Sequence, residues 1–272
     1  ENMDHFLSLG PLQTDKLNVR SFKIYADGAL GSRGAALKKS YSDLKSHKGA
    51  FITSKDSLEK LAYRLATTPF QMNTHAIGDA ANKSVLEAYN KALVFSADPR
   101  WRVEHAQIID TADIKLFNRK IIPSVQPTHA TSDMYWAEDR LGESRLAGAY
   151  ANRALLKQSG RIALGTDFPV EEVNPFLTFY AAVARQDLEA YPEGGYLPEN
   201  KLSRIEALSG MTLWGAYANF EEDQKGSIEV GKVADFVILD RDIIQISEKR
   251  IPKTRIVATF LNGNIVYSNR IN

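Results

Sequence analysis

Between Leu17 and Tyr217 short apolar runs alternate with stretches whose apolar residues recur at helical spacing. The runs predict strands over 17–25, 70–74, 101–104, 120–125 and 161–165. Helices are expected over 57–67, 78–89, 111–118, 150–159, 175–185 and 202–217. In the first helix Leu58, Leu61, Ala62 and Leu65 share a face, and in the second Ala81, Val85, Leu86, Ala88 and Tyr89 do so. Ser203 followed by Glu206 is a capping-box pattern opening the last helix. Strands that take turns with helices imply an α/β domain on a parallel sheet. After Asn219 the texture changes: 226–240 and 256–267 read as short strands with turn residues, and Asn262 to Asn264 signals a hairpin. No predicted helix separates them. The expected division is a βα domain over 1–219 and a small β appendage over 220–272.

Polar groups recur where the strands end. In FQMNTHAIGDAANKSVLEAY, residues 70–89, one polar turn places His75 at the carboxyl end of a strand. Gly78 permits the corner and Asp79 lies at the positive end of the following helix. His105 ends the next strand, His129 follows the strand after that, and Asp167 follows RIALG. A lone histidine at a strand end is commonly a hydrogen-bonded structural residue. The spacing argues for more: His75 and His105 are 30 residues apart, about one βα repeat, and Asp167 lies 62 beyond, about two. Parallel α/β proteins carry their chemistry at this edge. Two imidazoles, a carboxylate and Lys23, which is expected on a buried strand, make a nitrogen and oxygen site suited to Zn, with Mn or Fe also compatible. Lys23 can join only if carboxylated or deprotonated, because an ammonium repels a cation. The alternative is three satisfied polar residues and a salt-bridged lysine. The loop ADGALGSRG, residues 26–34, lacks the GxGxxG order and reads as a flexible active-site loop. His47, in an irregular polar stretch, is expected at the surface. The long segment 130–149, with Asp133, Trp136 and Arg140, fits either a substrate lid or an ordinary packed insertion.

Composition narrows the partners. The 272 residues suffice for one large α/β domain or a domain with an appendage, and 44% hydrophobic with 25% charged residues is ordinary globular composition. A formal net charge of +1, with no basic run interleaved with aromatics, disfavours nucleic acid. No apolar run approaches the roughly 18 residues of a membrane span. The chain has no cysteine, so any metal must be held by His, Asp, Glu or Lys. A soluble, cytoplasmic protein is the expectation, although the first residues, beginning with Glu1, do not identify the compartment.

Taken in order, KIYADGALGSRGAAL, NTHAIGDAAN, RVEHAQ, SVQPTHATSD, LGTDFPVEEVNP and GSIEVGKVADFVILD resemble the amidohydrolase superfamily, in the YtcJ-like or amidohydrolase-3 branch that includes N-substituted formamide deformylases. The resemblance runs from about Val19 to Tyr267. It implies a metal-dependent hydrolase built on a distorted (β/α)8 barrel with a small β-sandwich, of which this chain supplies about strands four to eight and the last part of the sandwich. It implies His75 and His105 as metal ligands, Asp167 as ligand and proton carrier, and Lys23 as a bridging, carboxylated lysine. His129 would hydrogen-bond the carbonyl or leaving group, or make a structural contact. The reaction implied is hydrolysis of an amide, cyclic amide or formamide C–N bond of a small molecule by metal-activated water. One departure stands out: the family begins its site with a His-x-His pair, and none occurs here. The missing strands are therefore expected from an N-terminal segment, cleaved or absent, or from another copy of the chain. A truncated barrel that binds a ligand or partner without catalysis by itself is the second reading, and a one-metal site of Lys23, His75 and His105 the third. Tyr135, Trp136, Tyr191 and Tyr196, in the segments expected to set specificity, hint at a bulky or aromatic substrate.

Overall fold

The computed structural model describes residues 2–269. Along the chain come α1 (Asn2–Leu9), β1 (Leu12–Gln13), β2 (Asn18–Val19), β3 (Ser21–Tyr25), α2 (Lys55–Ala66), β4 (Gln71–Ala76), α3 (Asp79–Ala92), β5 (Trp101–His105) and β6 (Ile121–Val125). There follow α4 (Pro127–Asp133), α5 (Ala137–Leu141), α6 (Glu143–Leu146), α7 (Asn152–Ser159), β7 (Ala163–Leu164), α8 (Pro175–Ala184), α9 (Arg204–Met211) and α10 (Leu213–Ala218). The chain ends in β8 (Phe236–Leu239), β9 (Ile256–Leu261) and β10 (Asn264–Ser268). It forms two compact units, one of residues 1–125 and 135–161 and one of 126–134 and 162–272. Among the described residues no helix is long and apolar enough to cross a membrane.

In the first unit β3, β4, β5 and β6 lie side by side, all parallel. Strand β4 sorts its side chains by alternation. Thr74 faces α3, where its hydroxyl meets Tyr89 Oη at 2.7 Å, and that hydroxyl donates to the Met72 carbonyl at 2.8 Å. Asn73 and His75 take the opposite face. Helix α2 is capped by Ser54, whose hydroxyl accepts from Ser57 N, and buries Leu58, Ala62 and Leu65. With Val85, Leu86, Trp101 and Val103 these residues form the core.

The corner between β4 and α3 is set by close backbone approach. The Ala36 carbonyl accepts from Ala80 N at 3.1 Å, covering the open end of α3. A Cβ on Gly78 would lie 2.0 Å from that oxygen. Gly78→Ala is accordingly expected to cost about 2 kcal/mol or more by forcing the 26–37 loop off the helix. A urea melt of the variant checks this.

In the second unit α8 packs on α4 and α9, and β8, β9 and β10 form an antiparallel sheet with Phe236 stacked on Phe260. The Asn262–Gly263 turn has positive φ at both positions, 49° and 76°, as a tight hairpin requires. The Ser203–Glu206 capping box forms as expected.

Four expectations need correction. The expected 202–217 helix breaks at Thr212 (φ −125°, ψ −93°), so α9 and α10 are separate. Of 226–240 only Phe236–Leu239 is strand, because Gly226 and Gly231, at φ 92° and 95°, bend the chain. Segment 130–149 is largely helical, in pieces too short to show periodicity. Lys23 is exposed, not buried: β3 lies at one end of the four-strand run and alternates between half-covered and open positions.

Candidate functional site

Parallel register places Tyr25, His75, Glu104 and Ser124 in one row across β3 to β6, with Lys23, Asn73 and Arg102 in register two residues earlier on the same face. Residues in register on neighbouring strands face the same way, so one face of the sheet is polar at its carboxyl end. His105, next after Glu104, would alternate to the other face. Instead its backbone turns to φ 72°, followed by Ala106 at 42°. Non-glycine residues seldom adopt this left-handed region, and such strain gathers at functional positions. The turn brings the His105 ring to 4.6 Å from that of His75, edge to face.

Against His75 lies Asp27, a residue whose importance the sequence did not disclose. Asp27 is fully buried. Its carboxylate accepts from Ala36 N at 2.8 Å, Ile77 N at 3.0 Å and Gly78 N at 2.8 Å, and lies 3.6 Å from His75 Nε2. Burial pushes the Asp27 carboxyl up to about 6, although the three N–H donors oppose that. His75 is driven down to about 4, first by burial and then by the nearby His105 and Lys23. The imidazole is therefore neutral at neutral pH. Its Nε2 is buried with no hydrogen-bond partner. A neutral imidazole can ligate a cation through a ring nitrogen, and here the nitrogen without a hydrogen bond is the one 3.6 Å from the Asp27 carboxylate.

Around this corner Arg102 Nε donates to Glu104 at 2.7 Å. Burial works against the Glu104 carboxylate, but Arg102, Ser124 and Lys23 together hold it below its ordinary range. The Lys23 ammonium sits 5.2 Å above the Tyr25 ring. Lys38, a further residue not singled out in the sequence, ties the 26–48 loop down through ion pairs to Asp110, at 2.7 Å, and Asp113.

In the second unit His129 is buried in the first turn of α4, directly after β6. Its Nε2 is 3.8 Å from Asp167 Oδ2 and its Nδ1 3.9 Å from Glu171 Oε1. Asp167, exposed, stands at φ 60° in the turn after β7. Glu171 is also new; its only trace in the sequence is the acidic pair that follows Asp167-Phe-Pro-Val. The structure thus brings together Lys23, His75 and His105 on one sheet edge of the first unit, and His129 with Asp167 in the second.

Most of the remaining candidates are packing residues. His47 is half-buried and not a free surface group: its Nε2 meets the Arg33 carbonyl at 2.9 Å and its ring stacks on Tyr41. Trp136 covers Gly31 and lies under Arg140. Arg140 bonds Asp43, and Arg145 donates to the Ser40 carbonyl at 2.9 Å. Residues 136–146 are thereby pinned as a packed insertion, which is the alternative to a lid. Tyr196 lies beneath Arg185, while Tyr135 and Tyr191 are exposed.

Residues 1–267 match the amidohydrolase family. The Bacillus subtilis (strain 168) protein YtcJ is 32% identical over 268 residues, covering 98% of this chain and 50% of its own length. An N-substituted formamide deformylase of Arthrobacter pascens is 26% identical over 285 residues, covering 97% of this chain and 51% of its own. Among solved structures, an uncharacterized metal-dependent hydrolase from Pyrococcus horikoshii OT3 superposes with a TM-score of 0.80 at 29% identity, over 91% of this chain and 50% of that one. The chain spans about half the length of the curated relatives it matches.

Proposed function

The chain belongs to the amidohydrolase family, and from that premise we propose that its protein is a metal-dependent hydrolase that cleaves a C–N bond in a small-molecule amide, cyclic amide or formamide. The observation that carries the reading is His75: neutral, at a strand end beside His105, with Nε2 buried, without a hydrogen-bond partner and 3.6 Å from the Asp27 carboxylate. The similarity to a metal-dependent hydrolase from Pyrococcus horikoshii OT3 supports the metal, and that to a formamide deformylase supports the bond class.

His75 and His105 are the proposed holders of a divalent cation, with zinc the first choice for this nitrogen and oxygen donor set. Lys23, if carboxylated, adds an oxygen ligand. Asp167 is assigned to the same ion on its motif, LGTDFPVEE, and the strand-end recurrence. When bound, such a cation polarises a carbonyl and acidifies water. The chain's own residues then have separate tasks. Asp167 takes a proton from the attacking water and returns it to the leaving nitrogen, and His129 donates to the carbonyl or leaving group. The proposed catalytic portion is 1–219, with 220–272 as the β-sandwich portion. The outer edge of β3 is proposed to pair with a further segment, from the longer protein or a second copy. A second reading, in which this chain alone binds without turnover, is favoured by the lack of a His-x-His pair.

The test is metal content per chain after purification without chelators, on wild type and on the His75→Ala, His105→Ala double variant. Near-stoichiometric zinc, manganese or iron in the wild type, lost in a variant with unchanged circular dichroism, is expected. A wild type that stays empty after incubation with each metal would overturn the assignment for this chain.

A further inference from the structure

We propose that Glu171 is a positioning residue that holds the His129 imidazole in one tautomer, with Nδ1–H toward Glu171 and the Nε2 lone pair toward Asp167; this rests on the reading of Asp167 as the proton carrier. The two ring nitrogens face two different carboxylates, at 3.9 Å and 3.8 Å. Those carboxylates differ in how they are held. Glu171 Oε1 accepts from Ser132 Oγ at 2.7 Å, and Ser132 is one turn beyond His129 on α4. The Glu171 side chain is 17% exposed, against 39% for Asp167. Glu171 is the fixed member of the pair and Asp167 the open one.

The spacing of the two acids is set by the backbone. Val170 N donates to the Asp167 carbonyl at 2.9 Å, and Phe168 N to Thr166 Oγ1 at 3.1 Å. This tight turn carries residues 167 and 171 to opposite nitrogens of one ring. The ring is buried, so it has little freedom to exchange partners with water. Both separations exceed a hydrogen bond, and a small rotation of the imidazole closes the Nδ1 side onto the fixed Glu171 oxygen.

The tautomer matters because a neutral imidazole donates from one nitrogen and accepts at the other. With the proton on Nδ1, Nε2 can accept a proton from Asp167 and, once protonated, donate to the carbonyl or leaving group. With the proton on Nε2, the ring would donate to Asp167 and occupy the lone pairs that the proton transfer needs. A carboxylate behind an imidazole is a recurrent way to choose between these states.

The test is nitrogen-15 NMR of the histidine rings on the chain itself, which needs neither metal nor substrate. The five histidines are few enough for His129→Gln to identify the signal. In the wild type the ring is expected to show a protonated Nδ1 and an unprotonated Nε2. Glu171→Ala should move it toward the Nε2–H form, while Glu171→Gln, which keeps an acceptor, should retain the wild-type tautomer. Ser132→Ala, which frees Glu171, should give an intermediate shift and serves if Glu171→Ala does not fold. An unchanged ring pattern in folded Glu171→Ala, or in Ser132→Ala where that one fails to fold, would overturn the proposal, and so would a wild-type ring protonated at Nε2. Metal content tests the hydrolase reading separately, so the two can fail independently.

Discussion

Asp27→Ala is expected to be the most destabilising single change in the first unit, costing about 4 kcal/mol or more and in practice abolishing a cooperative melt. The magnitude follows from what the carboxylate does. It accepts from three backbone N–H groups, Ala36, Ile77 and Gly78, in a fully buried position. Alanine leaves all three without an acceptor, each orphaned donor costing about 1–3 kcal/mol. It also leaves a cavity. Asparagine is a milder probe, because its oxygen still accepts while its amide meets donors with a donor. The two variants separate a pH effect from a packing effect. Since Asp27 is raised to about 6 from 3.8, the folded chain takes up a proton before the unfolded chain does as pH falls. Its contribution to stability therefore increases from above pH 6 down to about 4, by up to about 3 kcal/mol for a two-unit shift. The neutral Asp27→Asn has no such term. The stability gap between wild type and Asp27→Asn should widen as pH is lowered from 7 to 5. A constant gap in urea melts would show that burial does not penalise the Asp27 charge.

This residue also shows where sequence reasoning stops. The βα alternation was legible because apolar runs and helical stripes report burial directly, and β4, α3, β5 and β6 fall where those patterns place them. His75 and His105 were legible because spacing by one repeat brings strand ends into register. Asp27 was not, since an aspartate beside glycines looks like turn chemistry until Ala36 and Gly78 arrive from elsewhere in the chain. Glu171 is hidden for the same reason: its partner, Ser132, is distant in sequence. The inward turn of His105 depends on φ 72° at a non-glycine residue, which no composition rule anticipates. Local pattern overreached in the other direction at Lys23, where alternation suggested a buried strand and position in the sheet left the side chain open. The helices of 127–146 escaped notice because each is too short for amphipathic periodicity to rise above chance.

In the whole protein, Asp167→Asn is expected to lower kcat by about 10²–10⁴-fold, the usual contribution of a positioned general base and acid, with metal content unchanged. Asparagine suits the test for two reasons. It matches aspartate in shape and keeps one oxygen able to ligate, so a cation need not be lost. It also tolerates the left-handed backbone at φ 60°, so the turn that carries Glu171 survives. What asparagine cannot do is take up a proton and return it. Turnover on a panel of formamides, cyclic amides and N-acyl amines should therefore collapse while metal stoichiometry and melting temperature stay level. Retention of most of the turnover with metal bound would move the proton transfer elsewhere, and a group in the second unit able to take it is His129, 3.8 Å away. His129→Asn in the same background would decide that. If the relay runs through the imidazole, this variant loses the activity that Asp167→Asn retained. If it does not, neither residue carries the proton and the site needs a different base.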